Sequence, residues 1–195
     1  MRRRRTVFLL AALCIVAASA GVAQAQASRQ YVQGQVVGIG GRRAGLNRSF
    51  SLTVNNYSSP DDVQRLNAAL RSGGQDELLR ALSKLNAGRV SIGNNVGVRA
   101  NAIIATPTAE GGTKLTVLYE RDVAIFEARY GTRSADYRFG YAEIYLDARG
   151  RGQGTFIPAA KVKLEGDNNW VVEDFGEFPA RLLGLRSTGR VGGAR

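Results

Sequence analysis

The chain has 195 residues, of which 44% are hydrophobic and 22% are charged, as is typical of one globular domain with a buried core. It contains no histidine and a single cysteine, Cys14, which excludes histidine-based acid–base catalysis and histidine-ligated metal sites. The formal net charge is +11, from 27 lysines and arginines against 16 aspartates and glutamates.

The first 25 residues have the organisation of a signal peptide. Four arginines at positions 2–5 precede an alanine-rich apolar run over residues 6–22, and Ala23-Gln24-Ala25 fits the small-x-small cleavage pattern. We therefore expect cleavage before Gln26, with residues 18–20 as a second choice and an uncleaved membrane anchor as the alternative. The arginines suit either general secretory or twin-arginine export, and the pattern leaves that choice open.

Cleavage would change the chemistry that the chain can offer. The leader holds Cys14, four of the 27 basic residues and no acidic residue, so the mature chain keeps 23 basic and 16 acidic residues, a formal charge of +7. Without a cysteine it can form neither a disulfide nor a thiolate metal site. We expect an exported basic protein of the periplasm, the cell surface or the extracellular space.

In the first half of the mature chain, the spacing of apolar residues changes from the alternation of a strand to the period of a helix. After a frayed start at residues 26–29, strands are predicted over residues 30–39 and 48–55, the second from its alternation of apolar and polar side chains. Ser59, Pro60 and Asp62 then predict a capped helix start. Gly73-Gly74 ends this helix, and a second helix over residues 75–86 completes a predicted αα-hairpin that needs a sheet to dock on.

From residue 89 onward, turn signals separate a series of short strands. They are predicted over residues 89–93, 97–106, 113–120, 137–147, 155–164 and 170–175. Residues 123–130 are predicted as a separate strand or as a continuation of the preceding strand past a bulge, and residues 178–186 are an edge strand or a covering segment. Short turns favour antiparallel pairing. The predicted fold is α+β, an antiparallel β-meander with the αα-hairpin packed on it, in one domain over residues 30–186. The pattern leaves an open sheet and a partial barrel as alternatives, and residues 187–195 are expected to be a disordered basic tail.

An aromatic stripe marks the predicted strand over residues 137–147. Tyr137, Phe139, Tyr141 and Tyr145 share one face, with Glu143 among them. One interpretation is packing in a central strand, and the other is a platform for a flat or apolar ligand. Stacking of nucleic-acid bases is a third use of aromatics beside basic residues, but export argues against a nucleic-acid partner. These four aromatic residues are the candidate ligand-binding residues.

Two short motifs resemble nucleotide sites only in their letters. Gly150-x-Gly152-x-Gly154 joins two predicted strands and opens no helix, so we predict turn residues and no phosphate loop. Asp174-Phe175-Gly176 matches the kinase magnesium triplet, but no other kinase element accompanies it.

Carboxylates are the remaining source of acid–base or metal chemistry in the mature chain. None of the acidic groups has the spacing of a calcium loop, and nothing in the sequence shows that pairs from different strands converge. We expect solvated surface carboxylates, with no catalytic residue, no metal and no cofactor. The candidate groups are Glu120 with Asp122, Glu143 with Asp147, and Glu173 with Asp174 and Glu177.

Four segments together resemble a family of exported bacterial proteins of unknown function. They are residues 73–85 (GGQDELLRALSKL), 133–140 (RSADYRFG), 152–161 (GQGTFIPAAK) and 181–186 (RLLGLR). The resemblance covers most of the mature chain and implies export and a single domain. It implies no activity, cofactor or site residue.

The sequence thus supports two hypotheses of different classes. The first is an exported non-enzymatic domain that binds a small apolar ligand or an envelope partner, with lipid, cell-wall polymer and envelope protein as candidates and no integral membrane segment after cleavage. The alternative is a carboxylate-dependent hydrolase of cell-wall or polysaccharide substrates. Two buried acidic groups facing each other across a cleft would favour the hydrolase, and an enclosed apolar cavity under the αα-hairpin would favour lipid carriage. Neither feature would leave a structural or interaction role.

Overall fold

The computed structural model describes residues 29–38, 45–121, 136–166, 169–174 and 180–189. The predicted signal peptide, the strand predicted over residues 123–130 and the end of the predicted tail lie outside these ranges. Within them the chain is α+β, with ten strands in one open antiparallel sheet and one helix. The predicted fold class is therefore confirmed, and the sheet is open.

The elements follow one another in the predicted order, with the helix inserted between the second and third strands. They are β1 (Gln30–Val37), β2 (Asn47–Val54), α1 (Pro60–Leu82), β3 (Gly88–Ile92), β4 (Val98–Ala100), β5 (Ala102–Pro107), β6 (Thr113–Glu120), β7 (Phe139–Leu146), β8 (Arg151–Glu165), β9 (Asn169–Asp174) and β10 (Ala180–Thr188). Across the sheet the order is β4-β3-β2-β1-β10-β8-β7-β6-β5, and β9 pairs with β8 outside this path.

The last strand is central, which corrects the expectation of an edge strand or covering segment. β10 pairs with β1 on one side and with β8 on the other, where Leu182 lies opposite Val36 and Gly154. Leu182 and Leu185 are fully buried, so the strand contributes directly to the core. β10 also includes Ser187, which was expected in the tail and accepts a hydrogen bond from Gln30 Nε2 at 2.7 Å.

The helix begins as the sequence predicts. The Asp62 N–H donates to Ser59 Oγ at 3.1 Å, and the Ser59 N–H donates to Asp62 Oδ2 at 2.9 Å, which together form a capping box. The predicted αα-hairpin is instead one helix with a sharp kink at Gly73 and Gly74, where Gly74 has a φ of 63°. Two glycines interrupt the helix without forming a loop, since a positive φ carries no Cβ penalty at glycine.

Gln75 fixes the helix to the sheet directly after the kink. Its Nε2 donates to the Val162 carbonyl at 2.6 Å, and its Oε1 accepts from the Val162 N–H at 3.1 Å. The side-chain amide thus pairs with β8 as a peptide group would. This contact holds the second half of α1 against the sheet.

Each face of the sheet packs into its own core. The outer-face core joins Leu66, Leu70, Leu78 and Leu82 of α1 to side chains of β5, β6, β7 and β8. The inner-face core joins side chains from strands that are distant in the sheet, because Leu52 of β2 and Val117 of β6 belong to the same buried cluster. The sheet therefore curls around its inner face.

Asn101 lies in the chain between β4 and β5, which are the two end strands of the sheet order. It alone separates β4 from β5, so the single strand predicted over residues 97–106 is two strands at opposite edges. The buried Asn101 amide donates to the carbonyls of Leu82 and Leu85 at 3.1 and 3.2 Å, and its Oδ1 accepts from the Glu120 N–H at 3.0 Å. The residue ties the end of the helix to β6.

The glycine-rich segment between β7 and β8 is only partly a turn. The turn covers residues 147–150, and the Gly150 N–H donates to the Asp147 carbonyl at 2.9 Å. Gly152 and Gly154, which were predicted as turn residues, lie inside β8 and pair with both β7 and β10. A Cβ at Gly152 would lie 1.7 Å from the Tyr145 carbonyl oxygen, so these strands approach too closely for a side chain there.

Candidate functional site

The predicted aromatic stripe does not form one continuous platform. Phe139 is 0% exposed and Tyr141 is 6% exposed, and both belong to the outer-face core beneath α1. Tyr145 is 45% exposed on the same strand, and Tyr137 is buried just before β7 begins. The stripe therefore serves mainly as packing, with polar networks at its two ends.

Tyr137 organises the first of these networks. Its hydroxyl donates to Glu173 Oε1 at 2.7 Å, and Lys161 Nζ lies 4.7 Å from the centre of its ring. Lys163 Nζ lies 2.6 Å from Glu173 Oε2. The hydrogen bonds from Lys163 and Tyr137 lower the pKa of Glu173. These contacts connect β8 with β9 and leave the Glu173 carboxylate ionised.

Glu143 organises the second network. Tyr141 Oη donates to Glu143 Oε2 at 2.8 Å, Tyr145 Oη donates to Oε1 at 2.5 Å, and Lys114 Nζ lies 2.8 Å from Oε2. Burial by itself would raise the pKa of Glu143, but the hydrogen bonds from Lys114, Tyr145 and Tyr141 outweigh it and lower that pKa. The carboxylate acts as an ionised acceptor that links three side chains.

The candidate carboxylates Glu143 and Asp147 make hydrogen bonds with different partners and do not form a pair. Asp147 Oδ1 accepts from the N–H groups of Arg149 and Arg151, both at 2.8 Å, and so shapes the β7–β8 turn, while Glu143 holds its own network. Asp122, Glu177 and the side chain of Asp174 lie outside the described part of the structure. Within that part, no group of three or more His, Cys, Asp and Glu residues could hold a metal ion.

One groove lies beside the aromatic stripe, and we call it the outer groove. Its volume is about 300 Å³, and it runs between the first half of α1 and the outer face of the sheet. Trp170 closes one side, where its indole N–H donates to Asn67 Oδ1 at 2.6 Å. The lining residues are Val63, Ile104, Thr106, Lys114, Thr116, Tyr141 and Trp170.

A larger depression lies beside the inner-face core and is more open to solvent than the outer groove, and we call it the inner cavity. Its volume is about 490 Å³, and it is bounded by the β3–β4 hairpin and the end of β6. Valine and isoleucine side chains make up most of its apolar wall. The described lining residues are Val90, Ile92, Asn95, Val96, Gly97, Val98, Tyr119 and Arg121.

Tyr119 is the polar side chain most deeply buried in the lining of the inner cavity. It is 6% exposed, and its hydroxyl has no hydrogen-bond partner among the residues that the structure describes. Burial raises the pKa of Tyr119, and the nearby charge of Arg121 only partly opposes this. The phenol therefore stays protonated at neutral pH, and it presents a donor whose burial without an acceptor costs about 1–3 kcal/mol.

The hairpin that forms one wall of the inner cavity is held by its own contacts. Arg89 Nη1 donates to the carbonyls of Val96 and Gly97 at 3.3 and 2.9 Å, and Ser91 Oγ donates to the Asn95 carbonyl at 2.5 Å. The wall is thus fixed without a bound molecule, which lowers the entropic cost of ligand binding.

Sequence reasoning missed the inner cavity. The alternation of apolar and polar residues predicted the strand at residues 113–120, and therefore that Leu115, Val117 and Tyr119 share one face. The useful signal was Arg121, two residues after Tyr119, because residues two apart on a strand share a face. The facing wall comes from β3 and β4, and that proximity appears only in the folded chain.

Across the described ranges, no helix has both the length and the apolar character that a membrane span requires. No protein-family model, curated protein or solved structure matches this chain.

Proposed function

We propose that this chain is an exported, non-enzymatic domain that binds a small and mainly apolar ligand in the inner cavity. The observation that supports the proposal is a preformed cavity of about 490 Å³ with valine and isoleucine walls and a buried tyrosine hydroxyl that has no described partner. Small-molecule sites commonly have volumes of about 300–1,000 Å³, with apolar walls and few polar groups. The signal-peptide pattern and the resemblance to exported proteins support the location.

The hydrolase hypothesis receives no comparable support. Its clearest candidate, Glu143, is engaged with Tyr141, Tyr145 and Lys114, and its lowered pKa makes it a poor proton donor near neutral pH. Its sequence partner Asp147 is used by the β7–β8 turn. We therefore propose binding rather than catalysis.

A fluorescent apolar probe tests the proposal directly. The protein is produced with its leader, recovered after export, and titrated with N-phenyl-1-naphthylamine, whose emission rises in an apolar site. Val98→Phe adds bulk to the cavity wall, whereas Val171→Phe adds the same bulk on β9, where Val171 is 38% exposed. We expect Val98→Phe to weaken binding about tenfold or more, and Val171→Phe to leave it unchanged.

Two results would contradict the proposal. One is an unmodified protein that does not bind the probe, and the other is equal binding by Val98→Phe and the unmodified protein. The intact mass of the exported protein serves as an independent check, because cleavage before Gln26 fixes its value.

A further inference from the structure

We infer that the ligand of the inner cavity is an acid, with an apolar body and an anionic oxygen head group that accepts a hydrogen bond from Tyr119 beside Arg121. This inference rests on the proposed function, because it assigns a ligand class to the same cavity. It depends on three features of the cavity, which are the unpaired hydroxyl, the neighbouring guanidinium and the chemistry of the remaining wall.

The hydroxyl of Tyr119 requires an acceptor. It is buried, it belongs to a side chain that lines the inner cavity, and no described residue accepts a hydrogen bond from it. A ligand oxygen that accepted a hydrogen bond from this hydroxyl would remove the cost of a buried unsatisfied donor. The absence of a side chain at Gly140 leaves room for the ring, since a Cβ there would lie 2.4 Å from the Tyr119 hydroxyl oxygen.

Arg121 is the cationic residue in the described lining of the same cavity. It lies two residues after Tyr119 along the chain, and its N–H donates to the Arg138 carbonyl at 2.9 Å, which continues the β6–β7 pairing. Its Nε donates to the Tyr137 carbonyl at 3.0 Å, so the position of the guanidinium is anchored by the backbone. A charge-assisted hydrogen bond to an anionic oxygen is roughly twice as strong as a neutral one.

The rest of the described lining is compatible with an anion and an apolar body. It contains no carboxylate, and its remaining polar members are Asn95 and the backbone at Gly97. Glu120, which lies between Tyr119 and Arg121 in sequence, is exposed and lines a different surface depression with Arg99. Alternation along the strand therefore places the Glu120 side chain on the opposite face from the cavity.

Three ligands with the same alkyl chain test the head-group preference. Octanoate, 1-octanol and octylamine are each used to displace N-phenyl-1-naphthylamine from the exported protein. We expect octanoate to displace the probe at a concentration about tenfold lower than 1-octanol, and octylamine to be the weakest competitor.

Point variants connect this preference to the two residues. Tyr119→Phe and Arg121→Gln should each reduce the preference for octanoate over 1-octanol about three- to tenfold while neutral-probe binding persists, and Arg121→Lys should keep most of it. Arg99→Gln is the matched control, because it removes an exposed arginine on β4 that does not line the inner cavity. Far-ultraviolet circular dichroism confirms that each variant is folded.

The outcomes separate the two proposals. If the neutral probe binds and Val98→Phe blocks it, but octanoate competes no better than 1-octanol, the acid inference is wrong and the proposed function stands. The acid inference is also wrong if Arg99→Gln lowers the preference as much as Arg121→Gln does. Failure of the unmodified protein to bind the neutral probe contradicts both proposals.

Discussion

The aromatic ring of Tyr119 occupies the space above Gly140, its direct cross-strand partner on β7. A Cβ at position 140 would lie 2.0 Å from Tyr119 Cζ and 2.4 Å from the hydroxyl oxygen. No side chain fits at that distance, so the absence of one at Gly140 allows the tyrosine to lie along the wall of the inner cavity.

Gly140→Ala should therefore be destabilising, because the new methyl group displaces the tyrosine ring. We expect a loss of about 1–3 kcal/mol in the free energy of unfolding, measured by urea denaturation. Tyr119→Ala combined with Gly140→Ala should cost less than the sum of the two single changes, because the smaller side chain removes the clash. If the two losses of stability are additive in this double-mutant cycle, a clash between the Tyr119 ring and the new methyl group is not the cause.

The buried phenol of Tyr119 predicts a loss of stability at alkaline pH. Burial raises the pKa of Tyr119 in the folded state, whereas the unfolded chain keeps an ordinary tyrosine pKa near 10. The stability that the protonated Tyr119 contributes to the folded state is therefore fully present below about pH 10, and it is lost as the pH rises towards the folded-state pKa. Burial and the hydrogen bond to Glu143 also raise the pKa of Tyr141, so this second phenol acts in the same direction.

Urea titrations at about pH 8 and about pH 11 measure this effect. Tyr119→Phe should show a smaller loss of stability between the two pH values than the unmodified protein, and Tyr141 should account for part of the loss that remains. Tyr31→Phe serves as the control, because Tyr31 is exposed on β1. An unchanged pH dependence in Tyr119→Phe would contradict the prediction.

The network around Glu143 predicts a loss of folding stability at acid pH. Burial by itself would raise the pKa of Glu143, but hydrogen bonds from Lys114, Tyr145 and Tyr141 leave it lowered in the folded state. The stability that the ionised carboxylate contributes is present above its unfolded pKa of about 4.3 and is lost as the pH falls through the lower folded value. Glu143→Gln should reduce stability at neutral pH and weaken the acid dependence.

The matched variant for this prediction is Glu165→Gln, which removes an exposed carboxylate at the end of β8. Thermal unfolding from about pH 7 down to about pH 3 compares the two variants with the unmodified protein. If Glu165→Gln flattens the acid dependence as much as Glu143→Gln does, the effect reflects net charge rather than the network.

Local patterns were sufficient to predict most of the elements of this fold. The alternation around Phe50 marks β2, and Ser59 with Asp62 marks the start of the helix, because both signals depend on residues close in sequence. The central place of β10 depends on pairing with β1, about 150 residues away in the chain. No local signal distinguishes such a strand from one at an edge.

The candidate site was harder to predict for the same reason. Tyr141 and Tyr145 were correctly placed on one face of a strand, but α1 covers only Tyr141, which the strand pattern by itself does not reveal. The inner cavity combines the end of β6 with the β3–β4 hairpin, so its volume depends on how the whole sheet curls. The resemblance to exported proteins and the cleavage before Gln26 stay predictions.

Replacing Asn101 is expected to reduce stability strongly, although Asn101 does not line the inner cavity. Its amide serves the carbonyls of Leu82 and Leu85 and the N–H of Glu120, all at 3.2 Å or less. Asn101→Leu would remove this partner from the Leu85 carbonyl and the Glu120 N–H, at a cost of about 1–3 kcal/mol for each group, whereas the Leu82 carbonyl would still accept from the Leu85 N–H at 2.9 Å. Asn94→Leu, at an exposed position in the β3–β4 hairpin, should change the urea midpoint little.

Asn101→Asp refines this prediction. The aspartate keeps the acceptor for the Glu120 N–H, but it places a negative charge beside the Leu82 and Leu85 carbonyl oxygens. Protonation of the carboxyl would restore one donor and remove the charge, so this variant should recover part of its lost stability at about pH 4. Equal losses at neutral and acid pH would argue against repulsion as the cause.

Trp170 provides a direct optical measurement of how the helix docks. It is the single tryptophan of the chain, and its indole N–H donates to Oδ1 of the buried Asn67 at 2.6 Å. Asn67→Ala would leave this donor unpaired where Trp170 packs against the outer-face core. We expect a loss of about 1–3 kcal/mol in unfolding free energy and a red shift of the Trp170 emission, since water would then reach the indole. Gln64→Ala changes an exposed residue of the same helix and should alter neither quantity. An Asn67→Ala variant with unchanged emission and stability would show that the hydrogen bond does not position α1 on the sheet.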